Sequence, residues 1–147
     1  MYRRFFVTAF FKTKVYFPAR DSIFVPSIKR CFPEVNIEKT PSFHDINWNE
    51  NMILIAKMEN KVVGHIWIQK LYDFYKQEYY FYLMYVCVDE KYRRRNIATK
   101  LLETVEKLKE QYHISYITFT SGKNRVAAQN LYKKLNYYEK NSVVFKK

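Results

Sequence analysis

The run from Val86 to Leu102 constrains this chain more than any other stretch: Val86-Cys87-Val88-Asp89-Glu90-Lys91-Tyr92, then Arg93-Arg94-Arg95-Asn96, then Ile97-Ala98-Thr99-Lys100-Leu101-Leu102. It opens as an apolar, strand-like run. It closes as a helix with Ile97, Leu101, Val105 and Leu108 at the spacing of one helical face. A strand that turns tightly into a helix leaves the first helical N–H groups without intrahelical acceptors. Those groups, with the positive end of the helix dipole, form a ready anion site. Three consecutive arginines stand where the anion would lie. The segment therefore reads as a phosphate-binding turn, with a solvated basic turn capping an ordinary helix as the rival. It lacks the glycines of a P-loop or of a dinucleotide-binding turn, which excludes both.

A chain of 147 residues is expected to form one domain, 1–147, with a core of useful size. The net charge of +12 favours polyanions, acidic proteins and phosphate-bearing cofactors, and disfavours cationic small molecules. This charge is spread along the chain, and no dedicated nucleic-acid motif is visible. Cys31 and Cys87 lie far apart and suggest no disulfide framework; Cys87 falls inside an apolar run and reads as a small core residue. His44, His65 and His113 have no zinc-ligand spacing with either cysteine, so no metal is expected. No apolar run is long enough to span a bilayer. The N-terminal Met1-Tyr2-Arg3-Arg4-Phe5-Phe6 faintly suggests a presequence but reads better as strand, and a cytoplasmic location is the default expectation.

In chain order, residues 5–17 read as strand interrupted near Lys12, and Asp21 or Ser22 could cap a helix reaching Phe32. Residues 34–50 suggest loop and a short helix, with Phe43 and Trp48 as packing anchors. Met52–Met58 and Val62–Gln69 flank Glu59-Asn60-Lys61 as an antiparallel hairpin, and Gly64 hints at a bulge or close packing. After an aromatic turn at 72–77, Glu78–Val88 reads as a central strand buried on both faces. A helix from Ile97 to about Tyr112, a strand Ile114–Thr120, a helix from Arg125 to Leu135 and one or two short strands in 137–147 complete the chain. The strand-helix-strand crossover implies a parallel pair, 82–88 beside 114–120.

A second stretch, from Asn124 through Ala127, Leu131, Tyr132, Lys134 and Asn136 to Tyr137, changes the weight of the first. Together with Arg93-Arg94-Arg95-Asn96-Ile97-Ala98 it resembles the two motifs of the GNAT superfamily of acetyl-CoA-dependent N-acetyltransferases, in the family's order. Val62-Val63-Gly64-His65 resembles a further family strand, and the Tyr92–Ala98 form is most similar to the branch that acetylates protein N-termini. The likeness covers residues 52 to the C-terminus well and the first fifty weakly. It implies an α/β (α+β) fold, with a mostly antiparallel mixed sheet, a splayed parallel strand pair and about four flanking helices.

The resemblance also implies an acetyl-CoA cofactor. Val86 and Val88 would pair with its pantetheine arm, and Arg93, Arg94, Arg95, Asn96, Ile97, Ala98 and Thr99 would cradle its pyrophosphate. Asn124 and Lys134 would complete the cofactor set, Asn124 by bonding near the thioester or else as a simple helix N-cap. Tyr132 would protonate the departing thiolate, against the plainer reading of one packing tyrosine among 14. Tyr82, acting through a water, leads as base, followed by Glu78 and His65, with a water chain equally tenable.

Two departures stand out. Asn96 and Asn136 replace the motif glycines, asparagine being the side chain most at ease with positive φ. No carboxylate occurs in 82–85, where the family often carries its base.

The expected partner besides acetyl-CoA is an amine acceptor. An α-amino group, as on a protein or peptide N-terminus, is favoured over lysine because its lower pKa asks less of a weak base. Monomer and homodimer are both compatible with the sequence. The alternatives are a non-catalytic CoA-binding domain of the same fold and a basic RNA-binding module.

Overall fold

A computed structural model describes residues 6–10, 30, 46–58 and 61–147. Five strands form one sheet in sequence order: β1 Phe6–Phe10, β2 Asn51–Met58, β3 Lys61–Asp73, β4 Glu78–Val88 and β5 Tyr116–Thr118. The first four run antiparallel to their neighbours, and β5 lies parallel to β4. Helix α1, Ile97–Gln111, connects that parallel pair, and helix α2, Val126–Lys134, follows β5. The mixed sheet, its parallel pair and the hairpin are as expected. Two helices lie among the described residues; the helix expected over 21–32 and the one within 34–50 fall largely outside them. Arg30, described singly, has helical backbone.

Alternation in β2 sends Met52, Leu54, Ala56 and Met58 to one face and Ile53 and Ile55 to the other. On the first face Ile97, Leu101, Leu102, Val105 and Leu108 of α1 pack against the β2 residues and against Ile66, Ile68, Phe81 and Leu83. On the opposite face Ile53, Ile55 and Val62 meet Trp48 and Trp67, whose rings stack at 6.1 Å. Trp48 is thus a packing anchor, and Phe43 lies outside the described residues.

Gly64 marks the closest approach of helix to sheet. A Cβ there would meet the Cys87 carbonyl oxygen at 3.0 Å and Ile97 and Leu101 methyl carbons at 3.3 Å. The register of β3 against β2 shifts beside it. Both anticipated reasons for this glycine hold.

β4 departs from expectation. It alternates between buried and half-exposed residues instead of being buried on both faces, because tyrosines occupy the second face. It also carries a bulge: Cys87 pairs with His65 and Met84 with Trp67, so Tyr85 and Val86 together oppose Ile66. Tyr85 sits at φ 52°, a costly backbone for a tyrosine.

The parallel pairing of β4 with β5 is confined to Tyr80–Tyr82 against Tyr116–Thr118, upstream of the expected register. That end is latched: Tyr80 stacks on Tyr116 at 4.9 Å, and the Tyr116 hydroxyl donates to Asp73 Oδ2 at 2.8 Å. Beyond Thr118 the strand pairing lapses, so β5 is shorter than the apolar run that predicts it. The C-terminal residues 138–147 are exposed and form no strand, contrary to the expected one or two. Their apolar side chains Val143, Val144 and Phe145 pack on nothing that would hold a ladder.

Candidate functional site

Latched at one end and bulged at the other, β4 and β5 diverge into a cleft of about 440 Å³. One wall is Tyr82, Leu83, Met84, Tyr85 and Val86 of β4. The other is Thr120, Ser121 and Gly122 after β5, with Arg125 and Tyr132 closing it. Backbone groups on this edge of β4 beyond Tyr82 face no β5 partner. A slender ligand laid along that edge could extend the ladder.

Tyr132 is fixed by an aromatic cluster. Its ring meets Phe119 edge-on at 4.7 Å, and Tyr137 packs on Phe119 at 5.3 Å. Tyr137 in turn donates to Glu106 Oε1 on α1 at 2.7 Å. Burial raises the Tyr132 pKa above that of a free phenol, partly opposed by nearby Arg125. The hydroxyl therefore carries its proton at neutral pH, the state needed in a proton donor.

The turn before α1 begins at Asp89, a buried carboxylate whose Oδ1 accepts from the Lys91 amide at 3.2 Å. Arg30 Nε binds its Oδ2 at 2.7 Å. A single helical turn, Glu90–Tyr92, follows. Arg94 at φ 63° and Asn96 at φ 59° are left-handed, while Arg95 between them is not. Such alternation turns successive amides toward one side, as in an anion nest. The first α1 bond in this turn runs from the Lys100 amide to the Asn96 carbonyl at 3.0 Å. The amides of Ile97, Ala98 and Thr99 precede it and have no acceptor one turn back.

No acid lies in the first turn of α1, and the Asn96 side chain makes no capping bond. Arg93 Nε donates to the Val88 carbonyl at 3.3 Å, and Arg95 lies over the Tyr92 ring. Asn136 too is left-handed, at φ 65°. Asparagine thus supplies the backbone expected of glycine at both positions.

Of the residues singled out from sequence, Tyr82, Val86 and Tyr132 come together in the cleft. Val88 continues β4 past it, and Arg93 through Thr99 form the turn and helix start beyond. Asn124 is exposed just before α2, and Lys134 is exposed in its last turn; neither lines the cleft. The reading of Asn124 as N-cap fails, since Arg125 holds that place without a side-chain capping bond. Gln129 Nε2 instead secures the turn through the Gly122 carbonyl at 2.7 Å.

His65 is buried against Cys87, whose Sγ lies 3.3 Å from Nδ1, outside the cleft lining. Glu78 sits at the hairpin end near Lys76. Sequence reasoning passed over Arg125, Ser121 and the Arg30–Asp89 pair. Arg125 lay inside the second motif, and Ser121 just past the expected strand Ile114–Thr120. The ion pair spans 59 positions and leaves no local signal. Among the described residues no group of acidic, histidine or cysteine side chains could hold a metal. No helix there is long and apolar enough to cross a membrane.

The family model described as Acetyltransferase (GNAT) family matches residues 23–137, and the chain belongs to that family of acetyl-CoA-dependent acetyltransferases. Among solved structures, an aminoglycoside acetyltransferase from an uncultured soil metagenomic sample superposes with a TM-score of 0.80 at 18% identity, covering 97% of this chain and 95% of that one. A ribosomal-protein-alanine N-acetyltransferase from Brucella melitensis biovar Abortus 2308 gives 0.76 at 13% identity, covering 97% and 99%. Glucosamine-6-phosphate N-acetyltransferase from Arabidopsis thaliana gives 0.76 at 13%, covering 98% of each chain. No curated protein sequence matches. At such identities the likeness is one of fold.

Proposed function

We propose that this protein, working as one domain, moves an acetyl group from acetyl-CoA directly to a primary amine, with a peptide α-amine as the preferred class of acceptor. One observation carries the reading: the parallel strands lose their pairing beyond Tyr82, just before the Tyr85 bulge, and a cleft opens there beside Tyr132, along the strand that runs on into the turn of Arg93, Arg94 and Arg95. Bound acetyl-CoA would supply an activated thioester. The edge of β4 at Val86 and Val88, which no β5 residue pairs, would hold its amide-bearing arm. The amides of Asn96 to Thr99, with the three guanidinium groups, would face its diphosphate. Asn124 and Lys134, exposed before and in the last turn of α2 and outside the cleft lining, would be further cofactor contacts.

In the transfer the amine nitrogen forms a bond to the acetyl carbon as the carbon–sulfur bond breaks. The departing sulfur takes the Tyr132 proton, which the protonated state of that buried hydroxyl permits. The nitrogen would shed its own proton to solvent by way of Tyr82 and water, and the Tyr132 phenolate would take a proton back from solvent before the next turnover.

The described lining includes Arg125 and no carboxylate. With a net charge of +12, that lining opposes a polycationic acceptor of the aminoglycoside type. An α-amine, with an ordinary pKa near 8, loses its proton more readily than lysine does.

The test is to offer acetyl-CoA with a peptide library and an amine panel and weigh the products. Acetylated peptide N-termini are expected. Tyr132→Phe is expected to cut turnover by about 10²-fold while CoA still raises the melting temperature. Turnover equal to wild type would remove Tyr132 as proton donor. Saturating CoA without any thermal shift would remove the cofactor itself.

A further inference from the structure

Ser121 Oγ is the one buried side-chain polar atom among the described residues with no hydrogen-bond partner. Such groups are uncommon in folded proteins, because leaving a buried polar atom unpaired forfeits its hydration with nothing in return. The residue is not in the interior at large. It lines the cleft just past β5, on the wall shared with Tyr132 and facing β4 across the gap. The Gly122 carbonyl beside it already accepts from the Arg125 amide at 3.0 Å and from Gln129 Nε2 at 2.7 Å. A χ1 change to another staggered rotamer turns a serine hydroxyl by about 120°. In a residue that lines the cleft, such a rotation re-aims the hydroxyl without moving the backbone.

We infer that Ser121 is a cofactor-positioning residue, whose hydroxyl swings into the cleft to hydrogen-bond an amide of the acyl carrier's pantetheine arm near its thioester end. This rests on the acetyl-CoA reading above and adds to it a residue that neither family motif contains. The unpaired hydroxyl of the free protein gains its partner only when the arm is present. Removing it should therefore affect the free and bound states in opposite directions.

The experiment is calorimetric titration of wild type, Ser121→Ala and Ser121→Cys with CoA and with adenosine 3′,5′-bisphosphate, which lacks the arm, alongside melting of each free protein. Ser121→Ala is expected to melt at or above wild type, to bind CoA about tenfold more weakly, and to bind the bisphosphate unchanged. Ser121→Cys keeps the size but bonds weakly, and should follow alanine; it serves equally if the alanine variant does not fold. Equal CoA affinity in wild type and variants would overturn the inference while leaving the acetyltransferase reading intact. Equal weakening toward CoA and bisphosphate would overturn it too, by showing a general disturbance of the site. Wild type that binds no CoA would overturn both together.

Discussion

His65 shows how one side chain writes a pH dependence into the fold. It is 2% exposed, and burial disfavours its charged form, drawing its pKa from 6.5 down to about 4. An unfolded chain takes up a proton near pH 6.5, whereas the folded one refuses it until about 4. Stability is therefore unaffected above the higher value and falls as pH drops between the two. The total loss is about 3 kcal/mol. Urea titrations at several pH values should show this slope, and His65→Leu should flatten it even if the variant is less stable overall. An unchanged slope would mean that other groups carry the acid sensitivity. The same burial argues against His65 as the catalytic base, since it is turned to Cys87 and not to the cleft.

At the scale of the element, the strand-turn-helix unit is set by a few left-handed residues. Asn96 holds φ 59° at the entry to α1. Asn96→Ala places an ordinary Cβ in that backbone and should cost about 1 kcal/mol by denaturant unfolding. Asn96→Gly should be close to neutral and bind CoA at least as tightly. If alanine is as well tolerated as glycine, the backbone there is not what holds the turn.

Much of this element order could be read in advance. The β2–β3 hairpin, β4, α1 and α2 follow from apolar periodicity, because each lays one face on the same core. The length of β5 could not be read that way. Its apolar run extends to Thr120, but strand pairing ends at Thr118 against Tyr82, shortly before β4 bulges at Tyr85, and a bulge depends on cross-strand register. The tail failed for the opposite reason: Val143, Val144 and Phe145 have strand propensity but no ladder to join. In the site, motif spacing located Tyr132 and the arginine turn. It did not locate Arg125 or Ser121, which reach the cleft through the packing of α2 beside β5.

Across the whole molecule, the net charge of +12 acts beyond any single contact. A field of that sign raises the local concentration of an anionic carrier and fades as salt shortens the Debye length. The KM for acetyl-CoA is expected to rise roughly threefold between about 0.05 and about 0.3 M salt. Joint replacement of Arg94 and Arg95 by alanine should flatten that rise. A KM indifferent to salt would place the diphosphate away from the turn.

The parted edge of β4 has a consequence for heredity. Part of what it presents to the gap is peptide linkage, and every amino acid but proline supplies the same donor and acceptor. Mutations can therefore replace the residues along the rim without erasing the groups that meet a visitor, provided the curvature of the strand survives. Selection at such a rim acts on shape before it acts on spelling.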